Sequence, residues 1–138
     1  MDPLSRLIDA LRCLPGVGPK SAQRMAFNLL QYQRQHWLHL ASCLDEAMRS
    51  ITNCKRCNNY TAQDRCSICQ SPDRDVKTIC IVESPADVIA VEQSSAYNGL
   101  YYVLMNKISP LDGIGPEDIG LPHLQQRVVN EGIEEVIF

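Results

Sequence analysis

The sequence lacks a long apolar segment, since no run approaches the roughly 20 residues that a membrane-spanning helix needs. Its first four residues contain neither a basic stretch nor an apolar run, so we expect no signal peptide and a cytoplasmic location. Charged residues make up only 21% of the chain and hydrophobic residues 45%, which excludes a highly charged, disordered protein. Its 138 residues suit one domain or two small ones.

An overall excess of positive charge is also missing, because the formal net charge is -3. By itself this argues weakly against nucleic-acid binding. The charges are unevenly distributed, however: residues 1–76 carry 10 Lys and Arg against 7 Asp and Glu, whereas residues 77–138 carry 3 against 9. A mildly basic first part and an acidic second part predict two modules with different partners, although small imbalances are also common without any function.

Three amphipathic helices are predicted in the first part of the chain. Apolar residues between Leu4 and Leu11 follow the i, i+3, i+4, i+7 spacing of a short helix. The segment Pro-Gly-Val-Gly-Pro at residues 15–19 then interrupts the helix, and Pro19 suits the first position of the next one. A third helix is predicted from about Trp37 to Ile51.

The turn at residues 14–20 has the features of a phosphate-binding hairpin. Gly16 and Gly18 let the backbone approach a phosphate closely, and the following helix offers free N–H groups at the positive end of its dipole. Lys20 and Arg24 lie one turn apart and add cations on one face. We therefore predict that these four residues contact DNA phosphates without reading sequence. The alternative is an ordinary helical hairpin on which both cations are merely solvated.

A second segment, Leu-Asp-Gly-Ile-Gly-Pro-Glu-Asp at residues 111–118, repeats nearly the same skeleton with acidic residues in place of the basic ones. Carboxylates in a first helical turn satisfy the helix dipole themselves and repel phosphate. We expect this copy to be a structural loop or a protein contact that does not bind DNA.

Two Cys-x-x-Cys pairs, separated by eight residues, are formed by Cys54, Cys57, Cys66 and Cys69. Four thiolates at this spacing predict a tetrahedral zinc ion, with the intervening basic residues offsetting the negative cluster. Disulfides are disfavoured in a reducing cytoplasm, and a redox Cys-x-x-Cys would not need a second copy nearby. Four thiolates leave no open coordination position, so the zinc is expected to be structural and to fold a segment too small to fold alone.

The remaining cysteines and two histidines carry weaker signals. Cys13, Cys43 and Cys80 lie on apolar stripes or in a predicted strand, so we expect them to be small core residues. His36 and His39 are three residues apart, but no third ligand is near, and we expect both at the surface.

The last part of the chain alternates strands and helices. Apolar runs of strand length occur at residues 79–82, 100–104 and 135–138. A helix should begin with Ser84 as N-cap, Pro85 at its first position and Asp87 at its third, and another should span about 122–131. This order predicts a parallel α/β sheet. Because the chain stops inside the last strand, we expect the sheet to be incomplete.

Glu83 follows the first of these strands at its carboxyl end, where open α/β sheets place their ligand sites. A carboxylate there could help to hold Mg²⁺, or it could bond the following turn or contact a partner. Two-metal chemistry needs several converging carboxylates, and the only Asp-x-Asp, at residues 73–75, precedes the strand. The sequence therefore argues against catalysis here.

Together these motifs resemble the RecR family. The resemblance rests on Leu14–Lys20 followed by Ser-Ala-Gln-Arg-Met-Ala, on the four cysteines, on Ile-Val-Glu-Ser-Pro-Ala-Asp at 81–87 and on Ser-Pro-Leu-Asp-Gly-Ile-Gly-Pro at 109–116. It covers the whole chain and implies an α+β protein of several modules. These are a helix-hairpin-helix region at 1–53, a C4 zinc finger at 54–69 and, at 77–138, a Toprim domain with a Rossmann-like parallel sheet, incomplete at its C-terminus.

The resemblance also implies a function and partners. RecR proteins act in recombinational repair with RecO and RecF, without being enzymes, and help to load RecA onto gapped single-stranded DNA coated by SSB. They form ring-like homo-oligomers that can encircle DNA, and the part of the Toprim domain that this chain lacks normally completes the sheet and adds oligomer contacts. On the acidic Toprim face, Glu83 and Asp87 are the expected contacts to protein partners.

Two alternatives stay open. One is a Mg²⁺-dependent Toprim nuclease, primase or topoisomerase acting through Glu83, and the other is a zinc-ribbon adaptor that binds only protein. The chain also departs from the family in having Met105-Asn106 where RecR proteins tend to have a glycine, which we expect to affect a turn.

Overall fold

The computed structural model describes residues 2–105 and 120–138, and the chain divides into two compact units, Met1–Arg49 and Ser50–Phe138. The second glycine segment, at 111–118, lies outside the described residues, so its expected role stays a prediction. Within the described ranges, no helix is both long and apolar enough to cross a membrane.

The first unit is built from three helices: α1 at Pro3–Leu11, α2 at Pro19–Gln31 and α3 at Arg34–Ser50. The N-cap of α1 is the Asp2 carboxylate, which accepts a hydrogen bond from the Ser5 N–H at 2.9 Å. All three predicted helices are therefore present, the third beginning three residues earlier than the apolar pattern indicated.

The apolar faces of these helices are largely uncovered. Within the described part of the unit only Ala22 and Ala26 are fully buried, whereas Leu38 and Met48 of α3 are 63% and 73% exposed. Apolar side chains of all three helices line an open groove. Among the described elements of this unit, α1 and α2 pack closely together, and none of them covers the apolar stripe of α3.

The expectation that Cys13 and Cys43 are core residues is wrong, because both are exposed. They lie on stripes that no described element of the first unit covers. Cys80, by contrast, is buried in the central strand of the second unit, as predicted, and His36 and His39 are exposed, as expected.

The second unit begins with the cysteine segment, which has three very short elements. Strands β1 (Thr52–Asn53) and β2 (Tyr60–Thr61) pair antiparallel, and α4 spans Ser67–Gln70. None of the three follows from the sequence pattern, because elements of two to four residues are too short to show periodicity.

The rest of the unit is a three-stranded parallel sheet in the order β4-β3-β5, with β3 at Asp75–Val82, β4 at Gly99–Val103 and β5 at Glu135–Ile137. Helices α5 (Pro85–Gln93) and α6 (Leu121–Asn130) cover it on opposite faces. Val88 of α5 belongs to a core cluster with Cys80, Tyr101 and Val103, whereas Leu124 of α6 packs with Ile79 and Tyr102. The predicted helical N-terminus and parallel α/β sheet are both confirmed.

Candidate metal centre and nucleic-acid interface

The four cysteines of the two Cys-x-x-Cys pairs converge on one point. Each is at most 6% exposed, and their Sγ atoms all lie within 4.8 Å of one another. The Cys54–Cys69 and Cys57–Cys66 sulfur pairs are 3.7 and 3.5 Å apart, too far for disulfides, which need about 2 Å. A tetrahedral Zn²⁺ with Zn–S bonds of about 2.3 Å separates its sulfurs by roughly 3.8 Å, so the residues fit this ion.

Backbone N–H groups of the knuckles point at the sulfurs. Cys54 Sγ accepts from the N–H groups of Cys57 and Cys66, at 3.5 and 3.2 Å, and Cys66 Sγ accepts from that of Cys69 at 3.5 Å. These donors stabilise thiolates, because hydrogen bonding to a charged form favours it. Asn58, with φ of +69°, reverses the chain in the first knuckle.

Protons and the metal compete for the same sulfurs. Burial acts to raise the pKa of Cys54, but the N–H donors of Cys57 and Cys66 outweigh it and lower this pKa. The hydrogen bond between Cys57 and Cys66 raises the pKa of Cys57 to about 12 and lowers that of Cys66 to about 2. Because a zinc ligand must be a thiolate, zinc binding is expected to release the protons that sulfurs such as Cys57 hold without the metal.

Main-chain and side-chain hydrogen bonds fix the finger to the sheet. The Val103 N–H at the end of β4 donates to the Cys57 carbonyl at 2.8 Å, and the Asn58 side-chain amide donates to the Val103 carbonyl at 2.8 Å. A metal ligand thus accepts a hydrogen bond from the last residue of β4, an outer strand of the described sheet. The finger and the sheet are consequently one packed body.

An ion-pair network adds a second connection. The carboxylate of Glu131 accepts from Nε and Nη2 of Arg56 and from Nε of Arg127, at 3.0 to 3.3 Å. Arg127 Nη1 also donates to the carbonyls of Arg56 and Tyr101, and Arg56 Nη1 donates to the Cys69 carbonyl. The hydrogen bonds from Arg56 to the Glu131 carboxylate raise the pKa of that arginine.

Sequence reasoning missed this network. The i, i+4 spacing of Arg127 and Glu131 is visible in the sequence, but their connection to Arg56 spans 71 and 75 residues. No local pattern signals a contact at that separation. The signal in the sequence is the position of Arg127, three residues after Leu124 on the apolar stripe of the helix, where an arginine is unusual.

The hairpin before α2 has one of the two predicted glycine turns. Gly16 has φ of +78°, the left-handed region that favours glycine, and this prediction is borne out. Gly18 has φ of -92° and ψ of -177°, which other residues also adopt, so a special turn at Gly18 was wrongly expected. A Cβ at either position would meet no atom within 4 Å, which leaves the backbone open to an approaching group.

The first turn of α2 has unsatisfied donors beside two cations. Gly18 is the N-cap and provides no side-chain hydrogen bond. The first N–H of α2 with a backbone partner in the described part of the chain is that of Ala22, which donates to the Gly18 carbonyl at 2.9 Å. Lys20 and Arg24 are both exposed and lie one turn apart on this helix.

The two acidic residues predicted to contact partners lie at the start of α5. Glu83 and Asp87 are both exposed, and Asp87 Oδ2 accepts the N–H groups of Glu83 and Ser84 at 3.2 Å. Ser84 as N-cap, Pro85 and Asp87 thus start the helix as predicted. Asp87 therefore has a structural role, and partner contact at both residues stays a prediction.

Comparison with known proteins gives the same three parts. Residues 4–48 match the family model for the RecR helix-hairpin-helix, 51–71 that for the RecR zinc finger domain with four cysteines, and 77–138 that for the Toprim domain. The first match and the second bear out the predicted motifs. The geometry of the four cysteines, together with the zinc-finger match, confirms zinc as the expected metal.

Curated relatives match along the entire chain. The Recombination protein RecR of Legionella pneumophila strain Corby is 65% identical over 138 residues, which are all of this chain and 70% of the relative. That of strain Philadelphia 1 is also 65% identical over 138 residues and is covered to 69%. With this identity over the full chain, and with three matching parts in the same order, the protein belongs to the RecR family of recombination proteins.

Proposed function

We propose that the chain is a DNA-binding mediator of recombinational repair that performs no chemistry on DNA. It would act with RecO and RecF to help load RecA onto gapped single-stranded DNA, in the reducing cytoplasm that its seven unpaired cysteines suit. Under this proposal each part of the chain has its own role: residues 1–53 bind DNA, the finger at 54–69 is structural, and the acidic domain at 77–138 contacts proteins through Glu83 and Asp87.

The uncapped N-terminus of α2 beside Lys20 and Arg24 is the observation that carries this proposal. A phosphate oxygen can accept the free N–H groups there, at the positive end of the helix dipole, while the two cations contact neighbouring phosphates. Open space around Gly16 and Gly18 permits the close approach that such bonds require. None of these groups reads a base, so binding should be independent of sequence.

A catalytic role for Glu83 has little support. Among the described residues, the four cysteines form the one group of three or more side chains that could hold a metal ion. Asp75, at the start of β3, bonds the Lys77 N–H and the Thr78 hydroxyl, and Glu83 follows the other end of that strand, roughly 25 Å away at 3.3 Å per residue. Two-metal chemistry would need carboxylates that meet.

The test is a salt titration of binding to gapped DNA, followed by fluorescence anisotropy. Lys20→Ala/Arg24→Ala should bind much more weakly, with a salt slope shallower by about 0.9 for each phosphate that is no longer neutralised. The matched control is Arg49→Ala/Lys77→Ala, which removes the same charge from exposed positions elsewhere. If the two double variants bind alike, the hairpin is structural and the adaptor alternative is favoured.

Two further measurements address the mediator step. RecA assembly on SSB-coated gapped DNA, with RecO and RecF present, should be accelerated by the native chain and not by the Lys20/Arg24 variant. DNA incubated with the chain and Mg²⁺ should stay intact on a gel. Cleavage that disappears in Glu83→Gln would revive the Toprim enzyme alternative.

Self-association is also proposed, on the uncovered face of α3. Leu38, Leu40, Leu44 and Met48 are between 56% and 73% exposed, and several large apolar side chains exposed on one helix are typical of an interaction surface. A second copy could cover this face. Sedimentation velocity should show a concentration-dependent oligomer that Leu40→Glu/Leu44→Glu abolishes, and a native chain that stays monomeric would contradict the proposal.

A further inference from the structure

A cationic pocket of about 230 Å³ lies between the zinc finger and α6, within the second unit. Lys55, Arg56, Arg65 and Arg127 line it, against a single carboxylate, that of Glu131. Three of these cations belong to the finger and one to α6, so the two parts together form this positively charged site. We propose that this pocket binds a phosphate group of the nucleic-acid backbone, as a second contact in addition to that of the hairpin; the choice of nucleic acid rests on the proposed function.

The pocket includes a buried donor without a partner. Arg127 is 4% exposed, and its Nη2 is the one buried side-chain nitrogen or oxygen in the described residues that has no hydrogen-bond partner. Its Nε and Nη1 are used by Glu131 and by two carbonyls. Arg56 and Arg127 share one carboxylate, that of Glu131, so positive charge is in excess at this wall of the pocket and favours a bound anion.

Two cations at the rim of the pocket, Lys55 and Arg65, are available to bind an anion. Lys55 pairs with Asp64 at 3.5 Å, but both side chains are more than 70% exposed, so this pair contributes little and can exchange. The exposed Arg65 has no ion-pair partner in the described ranges. Arg56, by contrast, is bound to Glu131 and to the Cys69 carbonyl and serves the fold.

Phosphate is the anion that fits this donor set. Arginine presents a planar fork of donors that matches phosphate oxygens, and lysine adds a point charge. Gln126 and Asn130 of α6 also line the pocket and add neutral amide donors. The negative charge of four zinc-binding thiolates explains why some basic residues are near the finger. The sulfurs are buried, however, whereas Lys55 and Arg65 are exposed and remain available to an anion in the pocket.

The variants for the test are Lys55→Ala/Arg65→Ala, since both residues are exposed and their removal leaves the Arg56–Glu131–Arg127 network intact. In the zinc-loaded chain this double variant should bind gapped DNA about three- to tenfold more weakly at about 0.1 M salt, with a slope shallower by about 1 to 2. Arg49→Ala/Lys77→Ala is again the control of equal charge. Zinc content, measured by metal analysis, should be the same in all variants.

A second readout detects the pocket directly. In ¹H–¹⁵N spectra, the Nε–Hε resonance of Arg127 should shift saturably on adding inorganic phosphate or a short single strand of DNA, and not on adding chloride at equal ionic strength. The shift should persist in Lys20→Ala/Arg24→Ala, because the hairpin is a different site. It should weaken in Lys55→Ala/Arg65→Ala.

The outcomes separate this proposal from the proposed function. If the hairpin variant loses DNA affinity while the pocket variant matches its control, only the pocket proposal is overturned. If the Arg127 resonance shifts with inorganic phosphate and not with DNA, the pocket binds phosphate but the proposal that this phosphate belongs to a nucleic acid is overturned. If the resonance responds to neither, the pocket binds no phosphate and the proposal is overturned. A native chain that binds no DNA overturns both proposals together.

Discussion

Two glycines of the hairpin, two residues apart, have different backbone conformations. Gly16 has φ of +78°, where a side chain costs roughly 1 to 2 kcal/mol, whereas Gly18 is extended with φ of -92°. Gly16 is therefore required by the fold. Gly18 is explained better by what must come close to it, since its surroundings within 4 Å are empty.

The same substitution at both positions should separate these roles. Gly16→Ser should lower the free energy of unfolding by about 1 kcal/mol. Gly18→Ser should leave stability unchanged or slightly raised, because serine is a good N-cap, but it should weaken DNA binding, because its hydroxyl takes the N–H groups that a phosphate would accept. Thermal unfolding and anisotropy measure the two effects. Native-like DNA affinity in Gly18→Ser would contradict a phosphate at this helix end.

At the same scale, Met105 has an unusual backbone conformation. Its φ of +70° lies in the left-handed region that favours glycine. The side chain packs against the Tyr101 cluster, which offsets part of the backbone cost. The sequence indicated an altered turn, and the structure shows a strained residue that is held by packing.

At the scale of elements, the zinc finger and the sheet are coupled through β4. The Cys57 carbonyl accepts the Val103 N–H, so a disordered knuckle would leave that N–H without its acceptor. The two Cys-x-x-Cys pairs predicted the metal, but they gave no information about where the finger packs. That depends on Asn58, Arg56 and Glu131, whose partners are distant in sequence.

Removing zinc should therefore affect the sheet as well as the finger. Cys57→Ser, or a chelator, should abolish the zinc signal and sharply reduce hydrogen-exchange protection of the Val103 amide, with less effect at Ile79 in the central strand. Cys43→Ser, an exposed non-ligand, is the matched control and should behave like the native chain. Unchanged protection at Val103 after complete zinc loss would show that the finger and the sheet fold independently.

At the scale of the whole molecule, acid should destabilise the second unit through two carboxylates. The Arg74 guanidinium lowers the pKa of Glu92 below its ordinary 4.5; for Glu131, burial acts to raise the pKa, but hydrogen bonds from Arg56 and charge from Arg127 lower it. A carboxylate whose pKa is lowered on folding stabilises the fold above its unfolded pKa. This stability is lost as the pH falls from about 4.5 through the folded pKa.

Glu131→Gln isolates one of these contributions. It should be less stable than the native chain at neutral pH by about 1 to 3 kcal/mol, because two arginines lose a shared partner that is partly exposed. The difference should shrink below about pH 4.5 as the native carboxylate is protonated. Asp45→Asn, which breaks the exposed Asp45–Arg49 pair, is the control and should change stability by under about 0.5 kcal/mol. A difference that is constant with pH would mean that Glu131 acts by packing and not by charge.

Also at this scale, the chain spans about 70% of the length of the curated relatives that it matches. Both the exposed apolar face of α3 and the three-stranded sheet lie within the part of the relatives' sequence that this chain matches. The apolar periodicity of the first unit correctly predicts its helices. The same periodicity wrongly predicts that Cys13 and Cys43 are buried. Periodicity gives the orientation of a stripe around a helix, and it does not say whether another element covers it.

The sequence by itself determined the helices, the individual strands of the sheet, the zinc ligands and the left-handed glycine of the hairpin, because each depends on residues within about 15 positions of one another. Only the tertiary structure decided which side chains meet across the chain. The Arg56–Glu131–Arg127 network, the docking of Cys57 on Val103 and the cationic pocket all join residues more than 40 positions apart. Such contacts are set by how the finger, β4 and α6 pack together, and no spacing along the chain records that arrangement.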